Sequence, residues 1–147
     1  MKWLIVSTLL VVFASAIGGC GKSAVPSPSA EPLAIADQIS LLKALQEAGA
    51  TVEIGDSVIQ DFFSPEGSLV QANGIDIQVF EYESPEAMEQ EAAQVAPDGG
   101  SVGTSMMMWM DAPHFYKTGR IVVIYLGQDE NMLELLQHVI GDQFAGR

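Results

Sequence analysis

The sequence predicts an α+β domain: an antiparallel sheet of hairpins with about three helices packed mainly on one face. Three observations carry this reading. Asn73-Gly74, the pair preferred in two-residue type I′ turns, joins two strand-like stretches. Ile121 to Leu126 is an apolar run of strand length, its only polar side-chain atom the Tyr125 hydroxyl, as in a central strand covered on both faces. Segments behind Asp37, Ser84 and Asp129 repeat apolar residues at helical spacing after a good N-cap.

The elements follow in order. Asp37 caps a first helix with Ile39, Leu42 and Leu45 at helical spacing and Leu41 beside them, and Gly49 is placed to end it. Thr51 to Ile54 reads as a strand, Gly55-Asp56 as a turn, and Ser57 to Phe62 or Phe63 as the returning strand. Pro65-Glu66-Gly67 is another turn. Ser68 to Ala72 and Ile75 to Tyr82 form the hairpin about Asn73-Gly74, with Ile75, Ile77 and Val79 on one face. Ser84-Pro85 opens a second helix, with Met88, Ala92 and Val95 as its stripe, and Pro97-Asp98-Gly99-Gly100 stops it. Thr104 to Met110 reads as a strand, broken at Ala112-Pro113. His114 to Lys117 and Arg120 to Leu126 pair about Thr118-Gly119. Asp129 caps the last helix, with Met132, Leu133, Leu136, Val139 and Ile140 inward and Gly141 as its stop.

An internal echo accompanies this layout. A shift of 44 residues aligns Ile77 with Ile121, Val79 with Val123, Met88 with Met132 and Val95 with Val139. Both units then read hairpin followed by helix, as two pseudo-repeated units would.

The N-terminal segment says where the domain works. Lys2 precedes an apolar run from Trp3 to Ile17, which ends in Gly18-Gly19 before the only cysteine, Cys20. A basic start, an apolar stretch and small residues before a cut are the marks of an export signal. The run is shorter than the ~20 residues of a membrane-spanning helix. Ile17-Gly18-Gly19-Cys20 resembles the lipobox of bacterial lipoproteins. The resemblance implies that residues 1–19 are a signal peptide and that Cys20 carries a thioether-linked lipid. The expected address is the bacterial envelope, facing outside the cytoplasm, on the cell membrane or, in a two-membrane host, the outer membrane. Residues 20–35 form a tether rich in Pro, Ser and Ala, and residues 36–147 the single folded domain.

Charge narrows the partners. The chain has 6 basic and 19 acidic side chains, a formal net charge of −13, and loss of Lys2 with the signal leaves −14. Nucleic-acid binding relies on Lys and Arg clusters, and none is present. Anionic lipid headgroups repel such a chain, so the membrane is met only through the lipid on Cys20. With no other cysteine to pair, the fold rests on packing.

Several pieces together resemble a family of small, uncharacterised bacterial lipoproteins. They are Gln78-Val79-Phe80-Glu81-Tyr82, Pro97-Asp98-Gly99, Pro113-His114-Phe115-Tyr116, Gly119-Arg120 and Gln143-Phe144-Ala145-Gly146-Arg147. The resemblance spans roughly Leu41 to the C-terminus. It implies the same anchored single-domain layout and carries over no catalytic or binding residue.

One stretch carries possible chemistry. Met106-Met107-Met108-Trp109-Met110 is followed closely by His114. Thioether and imidazole are ligands for Cu(I), which makes Met106, Met108, Met110 and His114 a candidate metal set. The competing reading is that methionine fills gaps in a core. Strand alternation puts Met106, Met108 and Met110 on one face and Met107 with Trp109 on the other. No nucleophile elbow or second cysteine marks an enzyme, no cofactor is called for, and Asp111 and His114 flank a rigid Ala112-Pro113 turn without a nucleophile beside them. The expected function is non-enzymatic: an anchored domain that binds an envelope protein or a small ligand, with Cu(I) handling as the alternative.

Overall fold

Strand pairing, not helix packing, organises the molecule. The computed structural model describes residues 34–147. Eleven elements follow one another: α1 (Gln38–Glu47), β1 (Val52–Val58), β2 (Gly67–Ala72), β3 (Ile75–Glu81), α2 (Pro85–Ala92), β4 (Ser101–Val102), β5 (Ser105–Met106), β6 (Pro113–Thr118), β7 (Ile121–Leu126), α3 (Glu130–Ile140) and β8 (Ala145–Gly146). Six strands form one antiparallel sheet in the order β1-β2-β3-β7-β6-β8, and β4-β5 is a separate two-stranded ribbon. The fold is α+β.

The local signals hold where one residue type satisfies one backbone need. Asp37 accepts the Ser40 amide and Ser40 bonds back, closing a capping box. Ser84 accepts the Ala87 amide with Pro85 in the first turn, and Asp129 accepts the Met132 amide. Asn73 and Gly74 take φ of 54° and 79°, the positive pair a type I′ turn requires, and Ala72 pairs with Ile75 across it.

Both faces of the sheet are covered. On one, Ile77, Val79, Ile121, Val123 and Tyr125 meet Leu41 and Leu45 of α1 and Met132 and Leu136 of α3. On the other, Phe80, Tyr82, Val122 and Ile124 meet Phe63 and Met88 and Ala92 of α2. Two helices thus share one face and the third covers the opposite one. The run Ile121 to Leu126 is buried on both sides, as its composition requires. Each fully buried side chain of this size contributes roughly 1.5–3 kcal/mol. Strands of the echo agree in facing, Ile77 with Ile121 and Val79 with Val123, while Met88 and Met132 lie on opposite faces.

Several expectations are corrected. Gly55-Asp56 is not a turn: Val52–Val58 is one edge strand whose register against β2 shifts between Ile54 and Ser57. A bulge absorbs the one extra residue where the partner strand demands continuity. Phe62 and Phe63 lie in the loop after that strand, and only Phe63 is buried. Ile39 is exposed, because Leu41 and Leu45 define the inward stripe of α1. The second helix ends at Ala92, and Val95 instead bridges Val102. The last hairpin turns at Gly119-Arg120, one residue later than expected. The strand read over Thr104 to Met110 is reduced to Ser105–Met106; beyond it the chain leaves the ribbon, because Met107 and Trp109 turn into the second core.

Candidate functional site

The segment from Met106 to Met110 is held at alternate residues. The Met107 amide donates to the Gly100 carbonyl at 3.0 Å. The Trp109 indole N–H donates to the Gly99 carbonyl at 2.7 Å. The Trp109 ring meets Phe62 and Phe115 edge-on, with centroids 5.8 and 5.7 Å away. Met107 and Trp109 are therefore pinned to the core, and the residues between and beside them are turned outward. Met106, Met108 and Met110 are 89, 98 and 99% exposed. The core-filling reading of these three is overturned. It applies to Met107, partly buried, and to Met88 and Met132, both at 2%.

Beside this arm lies a hollow of about 440 Å³ lined by Gly100, Met107, Met108, Trp109, Asp111 and Pro113 among others. Asp111 closes the arm's C-terminal end. The Gln128 side-chain amide and the Ala112 amide hold its carboxyl below the ordinary value, so it stays ionised.

His114, the fourth member of the candidate metal set, is elsewhere in function. It is 5% exposed on β6. Its Nε2 lies 3.1 Å from the Gly127 carbonyl and its Nδ1 2.7 Å from the Gln143 side-chain amide. The ring stacks on Tyr125. Both nitrogens are engaged inside the fold, so the imidazole offers no free lone pair to an ion outside it. It borders a second hollow, of about 370 Å³, with Tyr116, Leu133, Gln137, Asp142, Gln143 and Arg147. Met108 and His114 thus line different hollows.

Three separate stretches, Pro97-Asp98-Gly99, Pro113 to Tyr116 and Gln143 to Arg147, meet in space here. Ala145 and Gly146 pair with Phe115 and His114. The Gly146 amide donates to the Pro97 carbonyl and the Arg147 amide to the Pro113 carbonyl. Gly146 has φ of 120°, and a Cβ there would collide with the Pro113 carbonyl oxygen. Gln143, Gly99 and His114 are thereby accounted for as fold residues.

Two features escaped the sequence. Phe62 supports Trp109 from a loop more than forty residues earlier in the chain, a contact with no local signal. The Tyr82 hydroxyl is buried without a hydrogen-bond partner, and burial, then the neighbouring Glu91 carboxylate, push its phenol well above the ordinary range.

Cys20 and the tether to residue 33 lie outside the described residues. Among the described residues, no helix is long and apolar enough to cross a membrane. No three of His, Cys, Asp and Glu gather to hold a metal ion among the described residues either. No protein-family model, no curated protein and no solved structure matches this chain.

Proposed function

We propose that this protein is a non-enzymatic binding module of the bacterial envelope, anchored by a lipid on Cys20, whose contact surface is the methionine arm at residues 106–110. The anchor rests on the order of residues around Ile17-Gly18-Gly19-Cys20. The contact surface rests on one observation: three long apolar side chains stand almost wholly in solvent on a segment bolted down between them. Exposed apolar residues scattered singly need no explanation; three on one short rigid segment mark a binding surface. Acidity supports a cationic or neutral occupant and disfavours nucleic acid or an anionic bilayer.

Oxidative footprinting with mass detection tests both parts. In the purified protein, Met106, Met108 and Met110 convert to sulfoxide rapidly and Met88 and Met132 slowly. In intact envelopes the three arm residues are expected to be protected, and Cys20 to carry lipid mass. Equal oxidation of the arm in both settings rejects the binding surface. A Cys20 without lipid rejects the anchor.

A further inference from the structure

We propose that Met106, Met108 and Met110 are a reversible oxidation site, through which a two-electron oxidant such as hypochlorous acid releases what the arm holds. The proposal rests on the arm being the binding surface and adds how that surface is switched.

Exposure sorts the sulfurs of this molecule. An oxidant must reach the sulfur, so the rate of thioether oxidation follows access. Met106, Met108 and Met110 are 89, 98 and 99% exposed. Met88 and Met132 are each 2% exposed, and Met107 packs against the second core. Trp109, the other oxidisable side chain of the segment, meets Phe62 and Phe115 edge-on. Residues 34–147 contain no cysteine to take the oxidant first.

The fold is insulated from the change. The arm is held by the Met107 amide on the Gly100 carbonyl and the Trp109 indole on the Gly99 carbonyl, and neither bond uses an outward side chain. An oxygen added at an outward sulfur enters solvent. The same oxygen on Met88 or Met132 is a polar group without a partner in the core, which opposes folding.

The chemistry balances with these reagents. The sulfur gives up two electrons and gains one oxygen, while chloride and one proton leave. In the return step two thiols of a methionine sulfoxide reductase supply two electrons and two protons, become a disulfide, and the oxygen leaves as water. A sulfoxide is polar, so oxidation turns three apolar contacts into hydrated ones. An occupied arm is shielded, and an arm oxidised while free does not rebind. Leucine or isoleucine would give an equally apolar surface. Methionine at all three outward positions gives one that can be made polar and then restored.

The test treats the full chain in detergent, then isolated envelopes, with pulses of hypochlorite. Peptide masses should show one oxygen on each of Met106, Met108 and Met110, gained roughly tenfold or more faster than on Met88 and Met132. The melting temperature should not move. Reductases for both sulfoxide epimers, supplied with dithiothreitol, should remove the oxygens. In envelopes, carbene labelling reads occupancy of the arm without oxidising it. Labelling should be low before the pulse, rise after it and fall again after reduction. With Met106→Leu, Met108→Leu and Met110→Leu combined, the arm should stay protected through the same pulse. Arm oxidation no faster than core oxidation, a fallen melting temperature, oxygens that the reductases leave in place, or protection that survives full arm oxidation would overturn the proposal and leave the binding module standing. Labelling already high before the pulse would reject the module, and the switch with it.

Discussion

Methionine occupies two opposite environments in this molecule. Met88 and Met132 are sealed against the two faces of the sheet, each 2% exposed. Met106, Met108 and Met110 stand in water at 89 to 99% exposure. The side chain is the same, and its neighbours decide its role. In the core it fills volume, and its flexibility is lost to packing. On the arm it stands in solvent, and its sulfur is the feature that remains available.

The largest test of this contrast is truncation. Met132→Ala should destabilise the domain by about 2–5 kcal/mol through lost burial and a cavity. Met108→Ala should change stability by no more than about 0.5 kcal/mol, as surface substitutions do. Urea midpoints of the two variants give the comparison directly, and a large effect at Met108 would break it.

The next effect belongs to the hairpin that frames the core. Gly74→Val places a β-branched residue at φ of 79°, and should cost about 1–3 kcal/mol by the same measurement. A smaller perturbation separates the arm from the core it hangs on. Trp109→Phe keeps an aromatic ring against Phe62 and Phe115 but removes the hydrogen bond to Gly99, at about 1 kcal/mol. Amide exchange at Met107 should speed up more than exchange in β7. Equal acceleration of both would mean that the arm and the sheet open as one unit.

The smallest effect is at the first helix. The Ser40 amide, then the Ser40 hydroxyl, hold the Asp37 carboxyl below its ordinary value of 3.8. A carboxyl lowered in the folded state stabilises above its unfolded value, and that contribution is lost as pH falls through the folded one. Asp37→Asn still caps but does not titrate. Its stability should fall less steeply than the wild type's from pH 5 down to about pH 2. Parallel curves would show that the cap carries no acid sensitivity.

What could be read from the sequence follows the range of the interaction. Asp37, Ser84-Pro85, Asp129 and Asn73-Gly74 each answer a need within three or four residues, and each stands where it was read. Gly55-Asp56 did not, because a bulge and a turn differ only in whether a partner strand runs alongside, and that partner is β2. The side of the sheet taken by α2 was hidden for a similar reason. Phe80 and Tyr82 make the second face of β3 apolar, but a strand does not announce which helix will cover which face. The arm was legible in its alternation and illegible in its exposure. Period two separated Met106, Met108 and Met110 from Met107 and Trp109, while the burial of the second pair came from Phe62 and Phe115, distant in sequence. His114 was read as opening the strand to Lys117; the strand opens one residue earlier, at Pro113, and both ring nitrogens of His114 are taken up by Gly127 and Gln143.

The pairing of β3 with β7 has a consequence for how this molecule tolerates change. The two central strands are not joined by a hairpin. The chain between them runs through α2, the arm and β6 before closing. That closure is a non-local step, of the kind that slows folding in proportion to the chain it spans. Its entropy, however, grows only logarithmically with length, so doubling the loop adds about 0.6 kcal/mol. Segments inserted near Gly103 or Met110 would therefore be carried by a sheet that scarcely registers them. The arm is the part of the chain most open to redesign, and the central strands set the cost of everything else.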